Sequence, residues 1–461
     1  MKELTTLVSA LALAACSTGP DYARPVTTPA AAGSFVAANS PAVQPQAPVP
    51  ANWWRLYNDP VLDGLIADAL AHNTDVRAAI ARLARARASL REVKVDRLPQ
   101  GGVSASATRG RDEGSSNATT DYSAGLEVAY EVDLFGRVRR GVEAAKGDVG
   151  AAEADADAVR IAIVSDTARA YADASSAAER LAVAEHIVQL LDQSLRLTEK
   201  QVEIGQTTRL DTARIATLRN QRQAEIPAIA AERDSALFRL ATLTGRAPAE
   251  LPSVAGARTT SLKLDQPIPV GDGAQLLARR PDVRAAERRL AASTARIGVA
   301  TAELYPQVTL GGSLSSGAGS IGNLFSNPIG FLIGPLISWS FSDHARARAR
   351  VAGAEAGSQE ALAQFDGTVL RSLQETETAL SAYSNVLRQR EALQAARNEA
   401  EVAAKIVRAQ QREGQVDSLA LLDAERTFAE SEAQLADING EVASAQINLF
   451  RALGGGWSAQ G

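Results

Sequence analysis

Apolar positions along this chain change period in a fixed order, and the order then repeats. From Val61 to Leu98 they recur at three- and four-residue steps, the period of one helix face, with a break expected near Asn73. Asp59-Pro60 opens the run as an N-cap followed by proline at the first helical position, and Pro99-Gln-Gly-Gly closes it. The period then shortens to two over Val103-Ser-Ala-Ser-Ala-Thr and over Tyr122-Ser-Ala-Gly-Leu-Glu-Val-Ala-Tyr, on either side of a polar loop rich in Gly, Ser, Asn and Asp. That alternation predicts a β-hairpin at about 101–132. A proline-free run dominated by good helix formers follows, from Arg137 to Ile204. At ~1.5 Å per residue its roughly 68 residues make a helix about 100 Å long, a strut rather than the centre of a compact globule. Gly205 turns the chain into a return helix expected over 210–244, bent at Pro227 and ended by Gly245-Arg-Ala-Pro248.

The second half repeats the series. Asp75-Val-Arg-Ala-Ala and Pro99 are answered by Asp282-Val-Arg-Ala-Ala and Pro306, both at an offset of 207 (282 less 75, 306 less 99). Gly205-Gln-Thr-Thr-Arg-Leu is answered by Gly414-Gln-Val-Asp-Ser-Leu, and Leu237-Phe-Arg by Leu449-Phe-Arg. The chain is a tandem duplication, with a first repeat at 59–250, a Pro-rich crossover at 251–272, a second repeat at 273–457 and a tail at 458–461. The second repeat is expected to hold a hairpin at about 307–342, a long helix at 345–413 and a return helix at 417–453. Within its strut Leu362, Phe365, Val369, Leu373, Leu380, Tyr383 and Leu387 form a coiled-coil-like seam with a gap at Thr376. The fold class is mainly α with a β part, a membrane β part if the family resemblance carried by the motifs quoted below holds. Four strands from one chain cannot close a barrel, and open edges do not survive in lipid, so the protein must oligomerise. Leu310, Leu314, Phe331, Ile333 and Ile337 are the candidates for the lipid face of these otherwise Gly- and Ser-rich strands.

Ahead of the repeats, an apolar run from Leu4 to Ala15 ends at Cys16, the only cysteine in the chain. The run is far shorter than the roughly 18 residues of a membrane span, and Leu13-Ala-Ala-Cys16 resembles a bacterial lipobox. Residues 1–15 are accordingly read as a lipoprotein signal peptide and Cys16 as the acylated N-terminus, with a Pro/Ala-rich tether at 16–58. Ser17 stands where an Asp would retain such a lipoprotein at the inner membrane, which points to the outer membrane. Net charge is −5, with 48 basic and 53 acidic residues scattered rather than blocked, which gives nucleic acid no footing. Aromatic residues make up only 4%, as helices packed closely through Ala and Leu allow.

Gly19-Pro-Asp-Tyr-Ala-Arg-Pro25, Tyr130-Glu-Val-Asp-Leu-Phe-Gly-Arg137 and Arg279-Arg-Pro-Asp-Val-Arg284, together with the duplicated order of elements, resemble the TolC-like outer-membrane efflux ducts, specifically the lipoprotein branch of the OprM and NodT kind. The resemblance covers essentially the whole mature chain. It implies a homotrimer in which the duplicated long-helix hairpins form a trimeric α-barrel crossing the periplasm, while each protomer gives four β-strands to a shared transmembrane β-barrel. It further implies a periplasmic adaptor protein and an inner-membrane transporter as partners, with outer-membrane lipid around the barrel.

No catalytic constellation emerges from the residues: His72, His186 and His344 lie far apart, each best placed at the surface, and there is no phosphate loop, metal-ligand cluster or nucleophile motif. An enzyme is not expected, nor a cofactor or metal beyond the covalent lipid on Cys16. The candidate chemistry sits after the turns at Gly205 and Gly414. Matching the family motif Leu-x-Leu-Leu-Asp-Ala-x-Arg places the aperture residues at Leu419, Asp423 and Arg426. By threefold symmetry each becomes a ring, the leucines closing the pore by dewetting and the aspartates favouring cations. The plainer readings are a coiled-coil core position for Leu419 and a solvated helix residue for Asp423. Some ducts latch the two turns with an arginine two residues after the second-turn glycine; Val416 occupies that place here, leaving Asp211 and Arg214 as candidate partners of the gate. The leading function is a gated exit duct for small molecules in a tripartite pump. The alternatives are a duct of a type I protein secretion system, or a non-conducting periplasmic coiled-coil lipoprotein or adaptor.

Overall fold

The structure is a computed structural model that describes residues 18–45, 47–111, 118–264, 266–324, 326–339 and 343–456. Cys16 and the signal-like segment before it lie outside the described residues. In chain order the helices are α1 (Pro29–Ala32), α2 (Pro60–His72), α3 (Thr74–Val95), α4 (Arg137–Glu203), α5 (Arg209–Leu243), α6 (Gly273–Arg279), α7 (Pro281–Ala302), α8 (His344–Arg412) and α9 (Ser418–Ala452). The strands are β1 (Val43–Gln44), β2 (Gln100–Gly110), β3 (Thr119–Val132), β4 (Ile268–Pro269), β5 (Gln307–Ala318) and β6 (Gly330–Ser338). The chain divides into two compact units, and each draws on both repeats. One takes the chain up to Val26, Ala81–Ala154 and Arg284–Thr368; the other takes Thr27–Ile80, Asp155–Val283 and the chain from Val369 onward.

The first unit holds the β-sheet. Its order is β2-β3-β5-β6, antiparallel throughout, so the hairpin of one repeat pairs with that of the other through β3 and β5. Register sorts the side chains. Val103, Leu126, Leu314 and Phe331 stand abreast, as do Val128, Gly312 and Ile333, then Tyr130, Leu310 and Pro335, then Val132, Val308 and Ile337. Because side chains alternate across a strand, these rows share one face, and all five candidates for the lipid face lie on it. The other face carries Ser104, Ser106, Ser123, Glu127, Thr309, Ser313 and Ser315, with Ser106 and Ser123 hydrogen-bonded at 2.8 Å. The sorting is not complete: Leu332 and Leu336 fall on the polar face, Leu336 lying over Gly311, and Arg109 and Ser316 fall on the apolar one. Pro335 lies on β6, an edge strand of the protomer's own sheet. Just past the strand ends, Phe135 stacks on Tyr305 at 4.6 Å, and Gly147 lets α4 approach Ala292 of α7 so closely that an added Cβ would meet the Ala292 Cβ at 2.8 Å.

The second unit holds the main apolar core. Trp53, fully buried, stacks on Phe450 at 4.6 Å, and Trp54 next to it is buried too. Asp59 caps α2, its Oδ1 accepting from the Val61 and Leu62 amides, while its Oδ2 accepts from the Tyr171 hydroxyl and from Arg258. Asn73 interrupts the helical run and caps α3 through the Asp75 and Val76 amides. The gap in the strut seam is part of the core: Thr376 is fully buried, its hydroxyl returned to the Ser372 carbonyl, with Val369, Leu380 and Tyr383 buried along the same seam. Helix α5 runs through Pro227 without a break.

The Pro/Ala-rich segment, expected as a tether lying along the body of the protein or linking it to the anchor, packs along the second unit from Thr27 onward. Phe35, Val43 and Val49 are buried, Val43 pairs with Ile268 in a parallel bridge, and the amides of Val36 and Ala37 donate to the Glu377 carboxylate at 2.7 and 2.8 Å. Pro/Ala-rich composition hid this because the segment packs through isolated apolar residues and backbone groups, which leave no period. His72 and His186 are exposed as expected, whereas His344 is half-buried.

Candidate functional site: the helical turns and the start of α9

Both turns are built alike. Gly205 and Gly414 hold φ of 77° and 70°, the left-handed conformation that ends a helix without a Cβ clash. In the first, the Gln206 amide reaches back to the Gln201 carbonyl and the Gly205 amide to Val202; in the second, Gln415 reaches Gln410 and Gly414 reaches Gln411. These are matching Schellman closures at an offset of 209 (414 less 205).

The helices that leave the turns start differently. The Asp211 carboxylate accepts from the Thr208 amide and from the Thr207 and Thr208 hydroxyls, closing the first turn onto α5. Those hydrogen bonds, the Thr207 one foremost, hold its carboxyl below the usual carboxylate range. A carboxyl whose folded pKa is depressed contributes stability above its unfolded pKa and loses it as pH falls through the folded value. The cap of α5 is therefore expected to survive acidification to below the ordinary carboxylate range and then fray, read as a rise in amide hydrogen exchange at residues 209–212. In Asp211→Asn the rise should already be present at neutral pH. Helix α9 is capped instead by Asp417, which accepts from the Ala420 amide at 2.9 Å.

Leu419 lies on the first turn of α9 and is 52% exposed, while Leu421 beside it is buried and Leu422 packs against Ile187, Leu191 and Leu218. The core position of the motif thus belongs to Leu421 and Leu422. Leu210, its counterpart in the first repeat, is likewise exposed. Asp423 and Arg426 are both exposed and pair with each other at 3.1 Å. Arg214 lies 3.8 Å from Asp211 on its own helix rather than on Asp423. In place of the latch that Val416 excludes, Gln411 donates to the Gln201 side chain at 2.8 Å, joining the ends of the two struts.

A buried ion pair beside this site went unread in the sequence. Glu425, 3% exposed, accepts from Arg408 at 2.6 Å through both oxygens, and the guanidinium groups of Arg408 and Arg397 lie 5.7 and 5.4 Å from the Phe428 ring. The hydrogen bond to Glu425 raises the Arg408 pKa further, so the pair stays charged. Its one sequence signal is an asymmetry between repeats, for Glu199 and Ala216 stand at the corresponding places in the first copy. The pair ties the start of α9 to α8. Among the described residues no cluster of His, Cys, Asp or Glu fits a metal ion, and no helix is long and apolar enough to cross a membrane.

An open four-stranded sheet with one apolar face, two long struts and a pair of matched turns define a protomer of an oligomeric outer-membrane duct. Comparison with known proteins agrees. The family model for outer membrane efflux proteins matches the chain twice, at residues 65–246 and 273–455. Outer membrane protein OprJ of Pseudomonas aeruginosa is 33% identical, covering 98% of this chain and 96% of its own length. The pyoverdine export outer membrane protein OpmQ of Pseudomonas putida is 30% identical over 99% of this chain and 98% of its own. The solved structure of the outer-membrane channel OprN superposes with a TM-score of 0.90 at 35% identity, covering 96% of this chain and 100% of OprN. The chain belongs to the outer membrane efflux protein family. It is a homotrimeric outer-membrane exit duct of a tripartite efflux pump, working with a periplasmic adaptor and an inner-membrane transporter.

Proposed function

We propose that the duct is gated at the start of α9, where Leu419 and Asp423 of each protomer form rings around the threefold axis and Arg426 balances the aspartates. The observation that carries this reading is Leu419 itself: a leucine on a helix whose neighbours fill the core, left half in solvent. An exposed leucine costs its protomer little, but a ring of them is a dewetting constriction. The Asp423–Arg426 pair is exposed on both sides, so solvent screens it and its worth to stability is small. Its role is the field at the aperture.

The duct carries small molecules and performs no chemistry on them. Its residues bind no cofactor, and Cys16 carries acyl chains that hold the protein to the membrane. A non-conducting coiled-coil lipoprotein has no use for an apolar sheet face, and a type I secretion duct is the less favoured conductor because the lipobox-like Leu13-Ala-Ala-Cys16 belongs with the efflux branch. The test is Asp423→Asn in planar bilayers. Reversal potentials in a salt gradient should show a weaker preference for cations with trimers intact; an unchanged reversal potential places the selective ring elsewhere.

A further inference from the structure

Strand β6 is apolar on both of its faces, and lipid accounts for only one of them. Phe331, Ile333 and Ile337 join the apolar rows of the sheet, whereas Leu332 and Leu336 point the other way, beside Ser313 and Thr309 of β5. They are 63% and 58% exposed, so the folded protomer gains little from them. A single exposed leucine is ordinary, but these two flank an open space. Gly334 lies between them on the same face, and a Cβ added to it would meet nothing within 4 Å. Leu336 leans across the neighbouring strand, where a Cβ on Gly311 would stand 3.1 Å from its Cδ1. Four residues along a strand separate the two leucines by about 13 Å, which leaves room for an aromatic ring between their side chains.

Assembly leaves this recess open. Strands β2 and β6 are the edges of the protomer's sheet, so closing the barrel pairs β6 of one protomer with β2 of the next. On the face in question β2 presents Gly102, Ser104, Ser106 and Thr108, none of them large and apolar enough to cover a leucine. Three protomers of four strands each make a barrel of twelve, wider than the eight-stranded barrels whose interior side chains can fill. Leu332 and Leu336 therefore line the lumen without sealing it.

A charge stands beside the recess. Glu127 on β3 is opposite Ser313, which is opposite Leu332, so two strand spacings, about 10 Å, separate Glu127 from that leucine on one face. Glu127 is exposed and, among the described residues, makes no hydrogen bond or ion pair, whereas Glu131 on the same strand is held by Arg137 at 2.8 Å. An uncompensated carboxylate next to an apolar recess favours a solute with an apolar body and a positive charge. We propose that Leu332, Gly334, Leu336 and Glu127 form a binding site, one per protomer on the lumen wall of the β-barrel, for lipophilic organic cations among the small molecules the duct expels. The site rests on the reading of the sheet's apolar rows as its lipid face.

The test uses full-length trimers of Ser313→Cys in lipid vesicles, since residue 313 lies between Leu332 and Glu127. Alkylation by iodoacetamide, a neutral and water-soluble reagent, is followed by the mass of the peptide that carries residue 313, so no other thiol enters the reading. Tetraphenylphosphonium should slow the reaction severalfold. Tetramethylammonium, which has the charge without the rings, and tetraphenylborate, which has the rings with the opposite charge, should not. Leu332→Ser and Glu127→Gln, each added to Ser313→Cys, should remove most of the protection while trimers persist on gels. Equal protection in both added variants, or equal protection by tetraphenylborate, would overturn the site. A cysteine at 313 that iodoacetamide does not reach at all would overturn the lumen reading of this face and the site with it, an outcome distinct from loss of protection alone.

Discussion

Replacing Leu419 with serine is expected to raise the single-channel conductance of the reconstituted trimer severalfold and to sensitise cells to large antibiotics that the outer membrane normally excludes. The size of the effect follows from what Leu419 touches. Its side chain is half exposed and does not join the buried cluster at the tip, which is made by Ile187, Leu191, Leu218 and Ala429. A surface substitution of this kind shifts stability by no more than about 0.5 kcal/mol, so the helix and its Asp417 cap should persist. What changes is water. A leucine ring empties a narrow pore of water, whereas serine hydroxyls keep it wet, and threefold symmetry multiplies each substitution around the axis. Leu421→Ala is the contrasting variant: it removes a side chain that is 2% exposed and should cost about 2–5 kcal/mol of stability, read as loss of trimers on heating.

The second large effect is expected in the sheet. Ile333→Arg should abolish stable trimers in the outer membrane, while Ser313→Arg should leave them assembled. The two positions stand at one level of adjoining strands, Ile333 opposite Gly312 and Ser313 opposite Leu332, but on opposite faces. A charge on the lipid face costs about 2–4 kcal/mol near the bilayer midplane, and the threefold assembly incurs it in every protomer. On the polar face the new arginine meets Glu127, the partner of Ser313 on β3, and has water around it. Heat-resistant trimers on gels from both strains decide the matter; equal yields would mean that the apolar rows do not face lipid.

The sequence carried what is periodic. Strands, struts and turns were legible because burial imposes a period of two or of three to four on them, and the duplication let each half check the other. The division into compact units was not, since both draw on both repeats and the seam between hairpins is backbone pairing of β3 with β5, to which side-chain identity contributes little. Thr376 read as a gap in a seam because a hydroxyl returned to its own helix is invisible to apolar counting, yet it is fully buried. The Pro/Ala-rich segment was legible as a tether, but the carbonyls that Thr18 and Gly19 give to Arg140 were not, since they leave no mark in composition. At the candidate gate the motif located Leu419, Asp423 and Arg426. What it lacked was the separation between Leu419 and its buried neighbours, and the Arg408–Glu425 pair that ties α9 to its strut.

The central claim is that the narrowest part of the conducting path is ringed by the first turns of α9. It is tested most directly by Asp423→Cys in a planar bilayer, with cadmium added to the periplasmic side. With Cys16 acylated, as proposed, no other native cysteine competes, and thiolates gathered around one axis bind cadmium. The expected result is a block of nearly all the current, reversed by a chelator, with no block in Lys405→Cys, whose exposed position lies on α8. Trimers of Asp423→Cys that conduct normally in cadmium would contradict the account.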